Sequence, residues 1–239
     1  MPEPAEIIAR NFDRIRTRIA VAAEQSGRRG DDIQLIAVTK YVGADLVRAL
    51  AEAGATELGE SRPQSLRLKA DALKDLERIR WHLVGHLQRN KVRSTLPYVD
   101  LIHSADSERL IADIDREAAR GDRRAPILLE VNISGDKTKH GFRPEQLPQL
   151  LPQITNFPNV EVRGLMAMAH RQGGRSVARA DFAAVRELRN RLAVDLPDGV
   201  SLDALSLGMS ADFEEAIAEG STIVRIGRSL YEGLELPSR

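Results

Sequence analysis

The stretch QLIAVTKYVGADLVRALAEAGA, residues 34–55, decides the fold. Gln34–Thr39 is a short apolar run of strand length with β-branched residues in it. Ala44–Ala53 repeats apolar residues at three- and four-residue spacing, and Gly54 follows as a helix stop. A strand feeding a helix in this way builds a parallel sheet. The unit recurs along the rest of the chain. Candidate strands follow at Thr56–Leu58, Arg80–Val84, Leu101–His103, Ile127–Ile133, Val160–Ala167, Asp203–Leu207 and Thr222–Ile226. Helical patterns lie between them at Ser61–Lys74, Ser107–Ala119, Ala178–Ala193 and Asp212–Glu219. Asp106 or Ser107 opens one helix, Pro144 lies near the start of another, Asp212 opens a third and Gly220 closes it. Eight strands at a mean repeat of about 27 residues, the size of one strand plus one helix, predict a closed (β/α)8 TIM barrel. An open doubly wound sheet is the rival, but no GxGxxG follows the first strand.

Upstream, residues 3–26 place Ile8, Phe12, Ile15 and Ile19 on one helical face. We therefore expect a single domain over residues 1–239, with residues 1–30 forming an extra N-terminal helix packed on the barrel. The segment Ala169–Val177 reads as a mobile loop. The N-terminal segment carries acids and bases throughout, unlike a signal or transit peptide, and no run approaches the ~18 apolar residues of a membrane span.

Composition narrows the function. The chain has 239 residues, with 35 Lys+Arg against 35 Asp+Glu and a net charge of zero, which argues against a polyanion binder. Aromatic residues are only 4%, too few for base-stacking platforms. Cysteine is absent, which excludes disulfides, thiolate zinc sites, iron–sulfur clusters and cysteine nucleophiles. A cytoplasmic protein with neither nucleic-acid nor membrane partners is expected.

In parallel barrels the chemistry gathers where strands end. The first strand ends at Lys40, a candidate amine nucleophile. Its resting pKa is ~10.4 and it attacks carbonyls only when neutral, so it needs a desolvated or cation-flanked setting. The alternative is a solvated loop lysine. Only six of the 35 basic residues are Lys (40, 69, 74, 91, 137 and 139), and Arg cannot form an imine. Lys69 and Lys74 read as members of a plain helix face. The last two strands end in Ser206-Leu207-Gly208-Met209-Ser210 and Arg225-Ile226-Gly227-Arg228-Ser229, small-residue loops of the kind that hold phosphate on backbone N–H groups and hydroxyls. A strand-one lysine facing such loops suits a phosphorylated aldehyde. His82 and His86 lie four apart, but Gly85 and the strand pattern keep them off one helix face, so no metal site is assigned. Asp212, Glu214, Glu215 and Glu219 read as a solvated helix face, and Met166, Met168 and Met209 as core.

Seven ordered segments carry a resemblance: AVTK (37–40), LGE (58–60), WHLVGHLQRNK (81–91), VNISGDKTKHG (131–141), GLMAM (164–168), SLGMS-x-D (206–212) and GSTIVRIG (220–227). In these the chain resembles the pyridoxal-phosphate homeostasis protein family, itself similar to the N-terminal barrel domain of alanine racemase. The resemblance implies a covalent Schiff base between Lys40 and pyridoxal 5′-phosphate (PLP). It implies that Ser206, Ser210, Gly227 and Arg228 hold the phosphate, that Arg225 faces the pyridine nitrogen, and that Lys139 is a second lysine near the pocket affecting cofactor exchange. The chain departs from the family pattern at Ser61, where many members carry Asn, and at Arg228, where many carry Thr.

A permanently charged Arg225 at the ring nitrogen disfavours its protonation and weakens the ring as an electron sink. Related racemases take a second base from an additional β domain, and a barrel of 239 residues leaves no room for one. No catalytic residue is therefore assigned. The expectation is a monomeric carrier and buffer of PLP with turnover slow or absent, and with PLP-dependent apoenzymes as candidate recipients. The rival readings are a PLP-dependent amino-acid racemase and a Schiff-base aldolase acting on a phosphorylated substrate.

Overall fold

In the computed structural model, which describes residues 2–136, 140–170 and 172–235, strand alternation builds a closed barrel. The strands are β1 (Gln34–Val38), β2 (Glu57–Glu60), β3 (Arg80–Leu83), β4 (Leu101–Ala105), β5 (Ala125–Val131), β6 (Val160–Ala167), β7 (Val200–Ser206) and β8 (Ile223–Ile226). They pair in parallel and in chain order, and β8 closes on β1 with Gln34 opposite Ile223 and Ala37 opposite Ile226. Every expected strand is present, with β7 starting earlier than the apolar run suggested. The helices are α1 (Pro4–Gln25), α2 (Ala44–Glu52), α3 (Pro63–Ala72), α4 (Val92–Thr95), α5 (Glu108–Arg120), α6 (Leu147–Leu150), α7 (Gly174–Leu192) and α8 (Phe213–Ala218). Among the described residues, no helix is long and apolar enough to cross a membrane.

Two apolar layers follow from the period of two. Ala37, Leu58, Leu83, Ile102, Leu129, Leu165, Leu205 and Val224 face outward onto the helices. Ile36, Leu101, Leu128, Met166 and Ile223 fill the barrel interior as a separate cluster. Each such buried side chain contributes about 1.5–3 kcal/mol. The amphipathic face of α1 is buried as expected, with Ile8 and Ile15 fully covered. Asn11 Nδ2 donates to the carbonyl oxygens of Leu230 (3.2 Å) and Glu232 (2.8 Å), and Arg28 Nη1 donates to Ser221 O (2.7 Å).

Three expectations change. The segment Ala169–Val177 is not all loop: α7 begins at Gly174, after Gly173 turns the chain at φ 125°. The adjacent glycines that suggested a loop form the entry to the helix. The acidic residues around α8 are not a solvated face. Glu219 is buried against Arg179 (2.7 Å) and Arg186, and Glu214 pairs with Arg18 (2.9 Å) and Arg175 (3.2 Å), so these carboxylates tie α8 to α1 and α7. Of the three methionines, only Met166 is core. Met168 and Met209 line the cavity described next.

Candidate functional site at the carboxyl end of the barrel

A cavity of about 500 Å³ opens where the strands end, lined from the loops after β1, β2, β3, β5, β6, β7 and β8. Lys40, Ser210, Arg225, Gly227 and Arg228 all line it, together with Tyr41, Ser61 and Glu130. Lys40 lies just past β1, after Thr39, is exposed, and has its Nζ 5.1 Å from the centre of the Tyr41 ring. Gly227 is required by packing, since a Cβ there would sit 3.0 Å from Tyr41 Cε2 and 3.3 Å from Val38 Cβ. Its bare backbone N–H donates to Ser210 Oγ (3.3 Å), which brings the two small-residue loops together. Gly208 holds φ at 84° and lies where a Cβ would meet Phe213 Cα at 2.8 Å, so the β7 loop folds tightly onto the start of α8.

Ser206 does not line the cavity. It is fully buried beneath it, and its Oγ accepts from Arg225 Nη1 (2.5 Å), which also donates to Ser206 O (2.6 Å). Arg225 Nη2 donates to Ala167 O (3.0 Å). Ser206 therefore positions Arg225 rather than offering its hydroxyl to a ligand. Lys139 lies outside the described residues.

Below Arg225 runs a chain of buried polar groups that the sequence reading missed. Ser206 Oγ lies 2.9 Å from His103 Nδ1, His103 Nε2 lies 3.0 Å from His82 Nδ1, and His82 Nε2 lies 2.7 Å from Glu57 Oε2. Donor and acceptor roles are fixed at the two ends. Arg225 can only donate, so Ser206 Oγ accepts from it, and the Glu57 carboxylate can only accept, so His82 Nε2 donates to it; the Ser206–His103 and His103–His82 links take their direction from the histidine tautomers. Burial first, then the neighbouring His82 and Arg225, holds His103 well below the ordinary histidine pKa, consistent with a neutral link. Burial raises the Glu57 carboxyl, but the His82 hydrogen bond and the charges of His82 and Arg80 outweigh it and leave the group below its ordinary value.

The charge balance at the floor is set by burial. Burial lowers Arg225 to about 10, against the pull of Glu130 and Asp212, so it remains a cation at neutral pH. Burial, with Asp106 adding, pushes the Glu130 carboxyl up to about 7, against Arg225. The folded chain thus keeps a proton on Glu130 over an interval in which the unfolded chain has lost it. Stability falls as pH rises from the ordinary carboxylate value to about 7, by up to about 3 kcal/mol. Glu130→Gln is expected to remove this slope, leaving stability near wild type at about pH 5 and raising it at about pH 8. Denaturant midpoints at the two pH values check it, and a variant with an unchanged pH profile would refute the assignment.

The plain helix face expected for Lys69 is corrected. Its Nζ, buried under the end of β1, donates to Glu60 Oε2 (2.5 Å) and to Thr39 O (2.8 Å), the residue before Lys40. The two histidines of HLVGH also separate: His82 points into the barrel, while His86 stands at the rim beside Asp106 and His140.

A parallel eight-stranded barrel with a lysine just past the first strand and small-residue loops after the last two defines a class. Residues 10–235 match the family model described as the alanine racemase N-terminal domain. A pyridoxal phosphate homeostasis protein of Aquifex aeolicus is 39% identical over 220 residues, covering 92% of this chain and 95% of the relative. One from Pseudomonas aeruginosa is 37% identical over 224 residues, covering 94% of each. PipY of Synechococcus elongatus PCC7942, solved with PLP bound, superimposes with a TM-score of 0.83 at 33% identity, covering 94% of this chain and 99% of that one. The chain belongs to the pyridoxal phosphate homeostasis protein family.

Proposed function

We propose that this protein binds and carries PLP in the cavity at the carboxyl end of the barrel, attached to Lys40 as a Schiff base, with little or no catalytic turnover. The observation that carries the reading is convergence: an amine, a buried guanidinium and a two-loop cradle share one cavity of suitable size. PipY, a full-length relative in fold, has been solved with the same cofactor bound. When bound, PLP supplies an aldehyde that condenses with a primary amine and releases water. Lys40 Nζ is that amine. Ser210 Oγ and the backbone N–H groups of Gly227 and Arg228 hold the phosphate, and Arg228 needs no particular side chain for a backbone contact. Arg225, locked by Ser206 and Ala167, presents N–H donors to the pyridine nitrogen and has no acceptor to offer, which keeps that nitrogen unprotonated and the ring a poor electron sink. This is why carriage and buffering are favoured over racemisation. PLP-dependent apoenzymes are the recipients that such a role calls for.

Borohydride reduction of protein loaded with PLP, followed by peptide mass mapping, tests the reading. A phosphopyridoxyl group on Lys40 is expected, and an unmodified Lys40 in excess cofactor would overturn it. Rapid exchange of an amino acid's α-hydrogen with solvent would overturn the non-catalytic part. Ser210→Ala removes one hydrogen bond to a charged phosphate, worth about 1.5–3 kcal/mol, so PLP affinity should fall by roughly 10-fold to 100-fold, while loss of the long Gly227 N–H contact lowers stability by no more than about 1 kcal/mol. Fluorescence titration measures it.

A further inference from the structure

We propose that His86, Asp106 and His140 form a binding site for a divalent transition-metal ion of the zinc class at the rim of the cavity, with these three side chains as ligands and a fourth position left to water. The three donor atoms all lie within 4.8 Å of one another. Asp106 Oδ2 is 3.0 Å from His86 Nδ1 and 3.6 Å from His140 Nδ1. Metal–ligand bonds of about 2.0–2.2 Å at tetrahedral angles put neighbouring donors roughly 3.4 Å apart, so these separations bracket the requirement. The two imidazole rings stack with centroids 4.0 Å apart and an interplanar angle of 14°, which holds both Nδ1 atoms beside the same carboxylate oxygen; ligating one ion requires one ring to rotate so that both in-plane lone pairs converge on it. Two neutral imidazoles and one carboxylate form a nitrogen–oxygen donor set suited to zinc and poorly suited to magnesium or calcium.

The surroundings distinguish this cluster from a chance meeting of surface side chains. Asp106 is largely buried, and its other oxygen, Oδ1, accepts from Ser107 Oγ (3.0 Å), which fixes the carboxylate so that Oδ2 faces the histidines. Each ligand also comes from anchored backbone. Gly85, before His86, packs so closely on Ser61 that a Cβ would collide with it, and Gly85 O accepts from Ser104 Oγ (2.7 Å). Asp106 directly follows β4. Just past His140, Phe142 N donates to Glu130 O (2.8 Å) and Asn132 N donates to Phe142 O (2.9 Å), pinning the returning chain to β5. A metal here would join the β3, β4 and β5 ends, and the site stands whether or not the cavity carries PLP.

The test uses the full chain stripped with chelator and titrated with Zn²⁺ by calorimetry, and with Co²⁺ by visible absorption. The expected result is one equivalent of Zn²⁺ per chain and the d–d spectrum of tetrahedral Co²⁺. Both should be lost in Asp106→Asn and in His140→Ala, whose exposed side chain can be removed without disturbing the barrel. Ser107→Ala, which frees the carboxylate, should weaken Zn²⁺ roughly 10-fold. His170→Ala, at a histidine paired with Asp181 instead, should bind as wild type. Absence of Zn²⁺ binding by the wild-type chain overturns the proposal. So does a Co²⁺ spectrum that survives in a folded His86→Ala/Asp106→Asn double variant.

Discussion

Lys40→Ala is expected to give a stably folded protein that loses its visible imine absorbance and releases PLP on dialysis. Lys40 is exposed and, among the described residues, its Nζ makes the cation–π approach to Tyr41, so removing it costs the barrel little. What is lost is the covalent link. The cradle of Ser210, Gly227 and Arg228 remains, and so does Arg225, so PLP still binds, but its affinity should fall by about two orders of magnitude or more, equivalent to about 3 kcal/mol. Lys40→Arg separates charge from chemistry. It keeps the cation over Tyr41 but cannot form an imine, and it should behave like Lys40→Ala. If Lys40→Arg instead retained cofactor through dialysis, the attachment would be ionic and the Schiff-base reading would fail. A spectrum unchanged in Lys40→Ala would move the link to another amine.

The strands were legible because short segments, most of them apolar and several rich in β-branched residues, recur between helical patterns, and a parallel barrel repeats that alternation eight times. The cavity was legible for a related reason. Once the strands are placed, their carboxyl ends mark Lys40 and the Gly/Ser loops without any knowledge of side-chain contacts. The polar chain inside the barrel was missed although a signal existed. His103 follows inward-facing Leu101 by two residues, Glu130 follows Leu128, and Arg225 follows Ile223. A polar residue in register with the interior face of a buried strand must have a partner, and that rule could have linked them. Ser206, for which the resemblance implied a phosphate contact, is turned by period-two alternation on β7 into the barrel toward Arg225. Lys69 hid on a helix that looks solvated by composition, although Leu66, one turn earlier, is fully buried on the same face. The His86–Asp106–His140 cluster was not legible at all, because it unites three loops that only barrel closure brings together.

Lys69→Met should destabilise the protein by about 3–5 kcal/mol, as large a loss as truncating a buried aliphatic side chain. The side chain of Glu60 is 1% exposed and that of Lys69 is 11%, so solvent screens the pair very little. Methionine matches the length of lysine and fills its space, so the cost is that of leaving the Glu60 carboxylate buried with Ser61 N–H (2.7 Å) and the long Ser61 Oγ (3.4 Å) and Thr39 Oγ1 (3.3 Å) contacts as its partners among the described residues. For a chain of this size such a loss lowers Tm by roughly 10 °C. The double variant Lys69→Met/Glu60→Gln removes both charges and should recover most of it, since a buried pair replaced as a unit is often close to neutral. Function will not recover in step with stability. Lys69 Nζ also holds Thr39 O at the end of β1, and Thr39 carries Lys40 at the cavity wall. The double variant is therefore expected to fold near wild-type stability yet form the Lys40 adduct with PLP more slowly, which marks Lys69 as a positioning residue. A loss below about 1 kcal/mol in Lys69→Met would make this an ordinary solvated ion pair. Wild-type adduct rates in the double variant would show that Thr39 and Lys40 are held by β1 alone.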